Sequence, residues 1–218
     1  MELMVSLAIM VTISTVVALN QRQFGAGAAL RNIVNNLSLS LRQAQIYGIS
    51  VKEYSSSSYQ AYTTTSFNAG YGVHFNINPS PSGDNTAYIF FSDRVRLVGS
   101  VTIPPNGMYG SGISCPPAGT GNPPSECLEK VVLSMGHTIS ALCTIRSGTE
   151  DCGNTSLDIS FKRPAVEARI IFNGDDIGSA GLSVACAEVS SSDGKKNSVV
   201  IYTTGQISVR GLACTDAI

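Results

Sequence analysis

The chain has 218 residues, room for one sizeable domain and an appendage. It is 43% apolar and only 13% charged, against about a quarter charged in an ordinary soluble domain; glycine is plentiful (21) and tryptophan absent, a composition that suits a β-rich extracytoplasmic domain better than a cytosolic enzyme. A net charge of −1 excludes a general attraction for nucleic acid or anionic membrane, so any basic contact has to be local.

Residues 3–19 carry no charge and lie between Glu2 and Arg22. At about 1.5 Å rise per residue, such a helix nearly crosses a hydrocarbon core of about 30 Å. Residues 1–21 are therefore read as the transmembrane and assembly half of an N-terminal helix. A secretory signal would place basic residues before a shorter apolar core, and none precedes this run. Residues 22–50 continue the helix as an amphipathic half. Leu30, Val34, Leu37, Leu41, Ala44 and Gly48 follow steps of four and three along one face, with Arg31, Asn35, Arg42 and Gln45 off it. Gly25 and Gly27 each cost about 1 kcal/mol relative to alanine, and the helix is expected to loosen there.

Residues 51–218 read as a β-rich head. The Ser/Thr-rich stretch 51–66 is a loop, and short runs from YGVHFNI to QISVR follow, rich in β-branched and aromatic residues. No helical pattern of useful length separates them, so the sheets should be antiparallel. Thr203-Thr204-Gly205-Gln206 marks a tight turn between the last two strands. The fold class is α+β: a long N-terminal helix packed on an antiparallel sheet or sandwich. Residues 104–127 form a loop with six of the nine prolines, long enough to be a binding element or a passive excursion.

The chemistry that the chain offers is sparse. Cys115, Cys127, Cys143, Cys152, Cys186 and Cys214 contain no CxxC pair, so they read as disulfides of an oxidising compartment rather than metal ligands. Six cysteines allow 15 pairings, of which sequence proximity favours Cys115–Cys127, Cys143–Cys152 and Cys186–Cys214. His74 sits in an alternating strand and His137 in a turn; neither belongs to a hydrolase or phosphate-binding motif, and no enzyme is expected. No cofactor is expected either, Asp175 and Asp176 being the one place where Ca²⁺ would find oxygen ligands. The pairs Arg94/Arg96, Lys162/Arg163 and Lys195/Lys196 would touch DNA phosphates only if they converged in space.

Glu2 is the unusual residue. A carboxylate inside a bilayer costs about 2.5–3.5 kcal/mol, and it is tolerated when it has a partner. If such helices pack side by side, a glutamate on one can meet a cationic group, such as an N-terminal amine, on its neighbour.

The stretch ELMVSLAIMVTISTVVAL, with Glu2-Leu3-Met4-Val5 at its head, resembles the N-terminal segment of type IV pilins and type II secretion pseudopilins. RQAQIYGISV and VVIYTTGQISV loosely resemble the minor, H-type pseudopilins. Met1 stands where the fourth mature residue of that family would be. The leader and the first three mature residues would then precede Met1.

The resemblance implies a non-enzymatic subunit, held by one span in the cytoplasmic membrane with its head outside, that assembles into a cell-surface pilus or a periplasmic pseudopilus. It implies that Glu2 pairs with the amine of an adjacent subunit, and that the run containing Leu3, Leu7, Val11 and Leu19 is first membrane anchor and then filament core. The implied partners are other pilin or pseudopilin subunits, an inner-membrane assembly platform and the prepilin peptidase. The alternative is a pilus-associated adhesin or DNA-binding module acting through loop 104–127.

Overall fold

The computed structural model describes residues 2–50, 69–79, 83–94, 96–98, 101–110, 115, 125–174 and 182–217; the side chains of residues 2, 18–24, 26, 96–98, 101–103, 182 and 217 fall outside the description. The chain begins with one helix, α1 (Glu2–Ile49). It runs unbroken through Gly25 and Gly27, so the expected loosening is absent. A glycine lowers helix propensity but keeps its N–H, and the i→i−4 ladder needs nothing more.

The second half of α1 has the face that its spacing predicts. Leu30, Ile33, Val34, Leu37, Leu41 and Ala44 are buried, while Arg31, Asn35 and Arg42 are exposed. Each buried leucine or isoleucine contributes about 1.5–3 kcal/mol. Two side chains fasten the helix to separate sheets: Ser40 Oγ shares a hydrogen bond with the Tyr88 hydroxyl at 3.0 Å, and Gln45 donates to the Gly205 carbonyl at 3.0 Å. At the C-terminal end Arg163 N donates to the Gly48 carbonyl at 3.0 Å, taking up one of the carbonyls that a helix end leaves open.

Twelve strands follow among the described residues: β1 (Gly70–Asn76), β2 (Ala87–Asp93), β3 (Arg96–Val98), β4 (Val101–Ile103), β5 (Cys127–Val132), β6 (Thr138–Arg146), β7 (Thr149–Asn154), β8 (Ser156–Phe161), β9 (Arg169–Phe172), β10 (Leu182–Ser190), β11 (Lys196–Tyr202) and β12 (Ile207–Arg210). They form a first sheet ordered β5-β2-β1-β8-β9, a second ordered β12-β11-β10-β6-β7, and the hairpin β3-β4. Every pairing is antiparallel. The turn at Thr203–Gln206 joins β11 to β12, closed by Gly205 N to Tyr202 O at 2.9 Å.

The inner faces of both sheets and the stripe of α1 make one core, in which Tyr71, Val73 and Phe75 of the first sheet and Val199 and Ile201 of the second share a cluster with Leu37 and Leu41. The outer face of the second sheet is closed by the short helix α2 (Cys214–Ala217), whose Cys214 is buried with Cys143, Cys186 and Val200. The disulfides join Cys115 to Cys127, Cys143 to Cys152 and Cys186 to Cys214, the pairs that sequence proximity favours.

The transmembrane reading of residues 1–21 finds no support among the described residues. Among the described residues no helix is long and apolar enough to cross a membrane. The apolar side chains described in the first half of α1 cover residues 3–17, about 22 Å of helix against a hydrocarbon core of about 30 Å. Strands β3, β4 and β7 and helix α2 are additions to the sequence reading.

Candidate functional site

The first half of α1 leaves the head. Leu3, Leu7 and Val11 are 79%, 60% and 56% exposed, and Met4, Ile9, Met10, Ile13 and Val16 are exposed beside them. Side chains that point in every direction around a helix and meet no core are a large apolar surface that something has to cover. Thr12 and Thr15 turn their hydroxyls back onto the carbonyls of Ile9 and Val11, at 2.9 and 2.8 Å. The run thereby offers no free hydroxyl at those two positions. The side chains of Glu2 and Leu19 lie outside the described residues, although both positions are within the helical backbone.

A second cluster lies on the outer face of the first sheet. His74 on β1, Asp93 on β2, Asp158 on β8 and Glu126 just before β5 are all buried there. Three of these carboxylates hold the segment 104–110 by its backbone. Asp93 accepts from Asn106 N at 3.0 Å and Gly107 N at 2.7 Å, Asp158 from Tyr109 N at 3.0 Å, and Glu126 from Gly110 N at 3.0 Å. His74 Nδ1 lies 2.8 Å from Asp158 Oδ1, and the Tyr109 ring packs on both His74 and Phe91.

Gly107 has φ of +81°, the left-handed region, and a Cβ there would lie 2.9 Å from Arg169 Cδ. Burial pushes the Asp93 carboxyl above its ordinary value, against the pull of the Gly107 and Asn106 amides. The strap is thus clasped through backbone amides by acids that have left water.

This geometry gives little purchase for catalysis. His74 Nε2 has no hydrogen-bond partner among the described residues, so none of the serines or cysteines among them is paired with it. It faces a cavity of about 10 Å³ with Asn76, Asp84 and Lys130, room for about one water. His137 is buried in a turn with Nδ1 2.7 Å from the Ser134 carbonyl. All six cysteines are in disulfides, so the Cys143, Glu150 and Cys152 cluster offers no thiolate pair to a metal. Asp175 and Asp176 lie outside the described residues.

Two of the basic pairs lie far apart. Lys162 and Arg163 follow β8 beside Gly48, whereas Lys195 and Lys196 face Gly27 and Arg31, about 31 Å away along α1. Arg94 donates to the Ser125 carbonyl. Of loop 104–127, the described residues 104–110 are the clasped strap and Cys115 is tied to β5; residues 111–114 and 116–124 lie outside the described residues.

Sequence reasoning passed over Asp93, Glu126 and Asp158. The usable signal was Asp158 itself, an acid in the middle of the apolar strand SLDISF, because a buried carboxylate needs donors. With the geometry in view, comparison with known proteins adds no relative: no family model, curated protein or solved structure matches the chain.

Proposed function

We propose that this chain is a pilin-like subunit that assembles by helix packing into a type IV pilus or a secretion pseudopilus. Its large, heavily bridged head favours a minor subunit over a major one. One observation carries the reading: α1 is a single helix whose second half is consumed by the core of the head while its first half exposes apolar side chains on all sides. A subunit that buries one half of a rod in itself and leaves the other bare is built to bury that half among others. The N-terminal resemblance supplies the kind of assembly.

In this reading Leu3, Leu7, Val11 and Leu19 belong to the filament core. Before assembly the same run, extended through residues 18–21, holds the subunit at the cytoplasmic membrane with the head on the extracytoplasmic side, in keeping with its three disulfides. Glu2 pairs with the terminal amine of a neighbour and sets the stagger between subunits. The partners are other pilin or pseudopilin subunits, the assembly platform and the prepilin peptidase.

The test is incorporation in the native cells. Glu2→Ala and the double variant Leu7→Asp, Val11→Asp should both leave the sheared filament fraction, with head disulfides intact by mass. Normal incorporation of both variants would sink the proposal.

A further inference from the structure

At the root of the exposed half of α1 lies an open cleft of about 930 Å³, between Gly27–Asn35 of the helix and the β10–β11 turn. Arg31, Lys195 and Lys196 line it together with Asn32, Asn35 and Asn197. Lys195 is 51% exposed and 3.1 Å from Asp193; Lys196 is 49% exposed and 3.0 Å from the buried Glu188. Arg31 is exposed and meets no carboxylate among the described residues. Gly211 completes the wall, and Leu212, next to it in the chain, is 52% exposed. A guanidinium, two ammonium groups and a set of carboxamides form a donor-rich cleft of the kind that receives phosphate oxygens.

The position of the cleft selects the phosphate. If the apolar run ends near residue 19, Gly27 stands about 12 Å above the hydrocarbon edge. The headgroup layer occupies about 5–7 Å of that distance. For Lys195, which lies beside Gly27, the remaining gap is within one Debye length, about 8 Å at physiological salt; Arg31, one turn further on, starts about 6 Å higher and has to reach back along the helix. Nucleic acid fits less well: the chain carries −1 overall, and the Lys162/Arg163 pair lies about 31 Å away along α1.

We infer that this cleft is a docking surface for the phosphates of an anionic bilayer. Arg31 and Lys195 reach the headgroups, Leu212 enters the interface, and the head is drawn down onto the membrane rather than left to swing above it. The inference rests on the membrane-held state proposed above, and its test separates the two.

The protein has no tryptophan, so Leu212→Trp in the full chain gives a single donor for energy transfer to dansyl-labelled headgroups. The chain is mixed with vesicles of phosphatidylcholine alone, or of phosphatidylcholine with about a third phosphatidylglycerol, and floated on a density gradient. Transfer should be larger in the anionic vesicles. It should fall in 0.5 M salt and in Arg31→Gln, Lys195→Gln, each charge removed lowering the docking equilibrium roughly fivefold. Lys196 is left in place because its partner Glu188 is buried. Flotation with equal transfer in both vesicle types, or transfer that ignores both salt and the double variant, overturns the inference and leaves the membrane reading standing. Failure to float with either vesicle overturns both.

Discussion

At Gly48 the helix passes so close to β8 that only hydrogen fits: a Cβ there would lie 2.2 Å from the Phe161 carbonyl oxygen, a backbone atom that cannot swing aside. Gly48→Ala should therefore cost about 1–3 kcal/mol, read as a lowered urea midpoint, although alanine is the better helix former. Two carboxylates give opposite pH slopes. Hydrogen bonds from Lys130 and Thr86 hold Asp84 at about 2, against 3.8 for the free group. The unfolded chain takes up that proton before the folded one, so this contribution is present above 3.8 and is lost as pH falls toward 2. Asp84→Asn should flatten the acid limb of a stability–pH profile. Asp93 is raised by burial above 3.8, so the folded chain holds its proton longer, and stability falls as pH rises through that higher window. Asp93→Asn should remove that fall.

Within α1 the same residue type has two fates. Leu37 is fully buried and Leu7 is bare, so Leu37→Ala should cost about 2–5 kcal/mol in head stability while Leu7→Ala leaves the thermal midpoint unchanged and weakens assembly. Both halves were visible in the sequence, because the period of 3.6 is carried by the residues themselves: a stripe in one half, an all-round apolar surface in the other. Strand β7 was not legible. Its TEDCGN is polar and exposed along an edge, and it is a strand only because β6 pairs with it. The three-residue strands β3 and β4 are too short to show any alternation. The clasp on segment 104–110 was equally hidden, since Asp93, Glu126 and Asp158 come from three separate places in the chain and meet only in the folded sheet.

Taken as a whole, the molecule is a two-sheet head from which the exposed apolar half of α1 extends. Disulfides brace both outer faces of the sheets: Cys115–Cys127 behind the strap, Cys143–Cys152 and Cys186–Cys214 around α2. Full reduction should lower head stability by several kcal/mol, about 2–4 for each bridge, measured as the shift in denaturation midpoint with and without reductant. The α+β class, the antiparallel pairing and the handover from helix to strands follow from periodicities that any reader of the chain can count. What covers residues 3–17 does not, because nothing in this chain packs on them among the described residues.

The strap has a consequence for how this chain can change over time. Its carboxylates grip peptide N–H groups, which all residues but proline possess, and of the half-buried Asn106 and Met108 the first adds a brace of its own, its Oδ1 accepting from Met108 N at 3.1 Å. Beyond Asn106, Gly107 and Tyr109, the clasp demands a length of backbone rather than a set of letters. Met108 is accordingly the position of the strap where descendants of this chain can change a side chain while the sheets beneath remain the same.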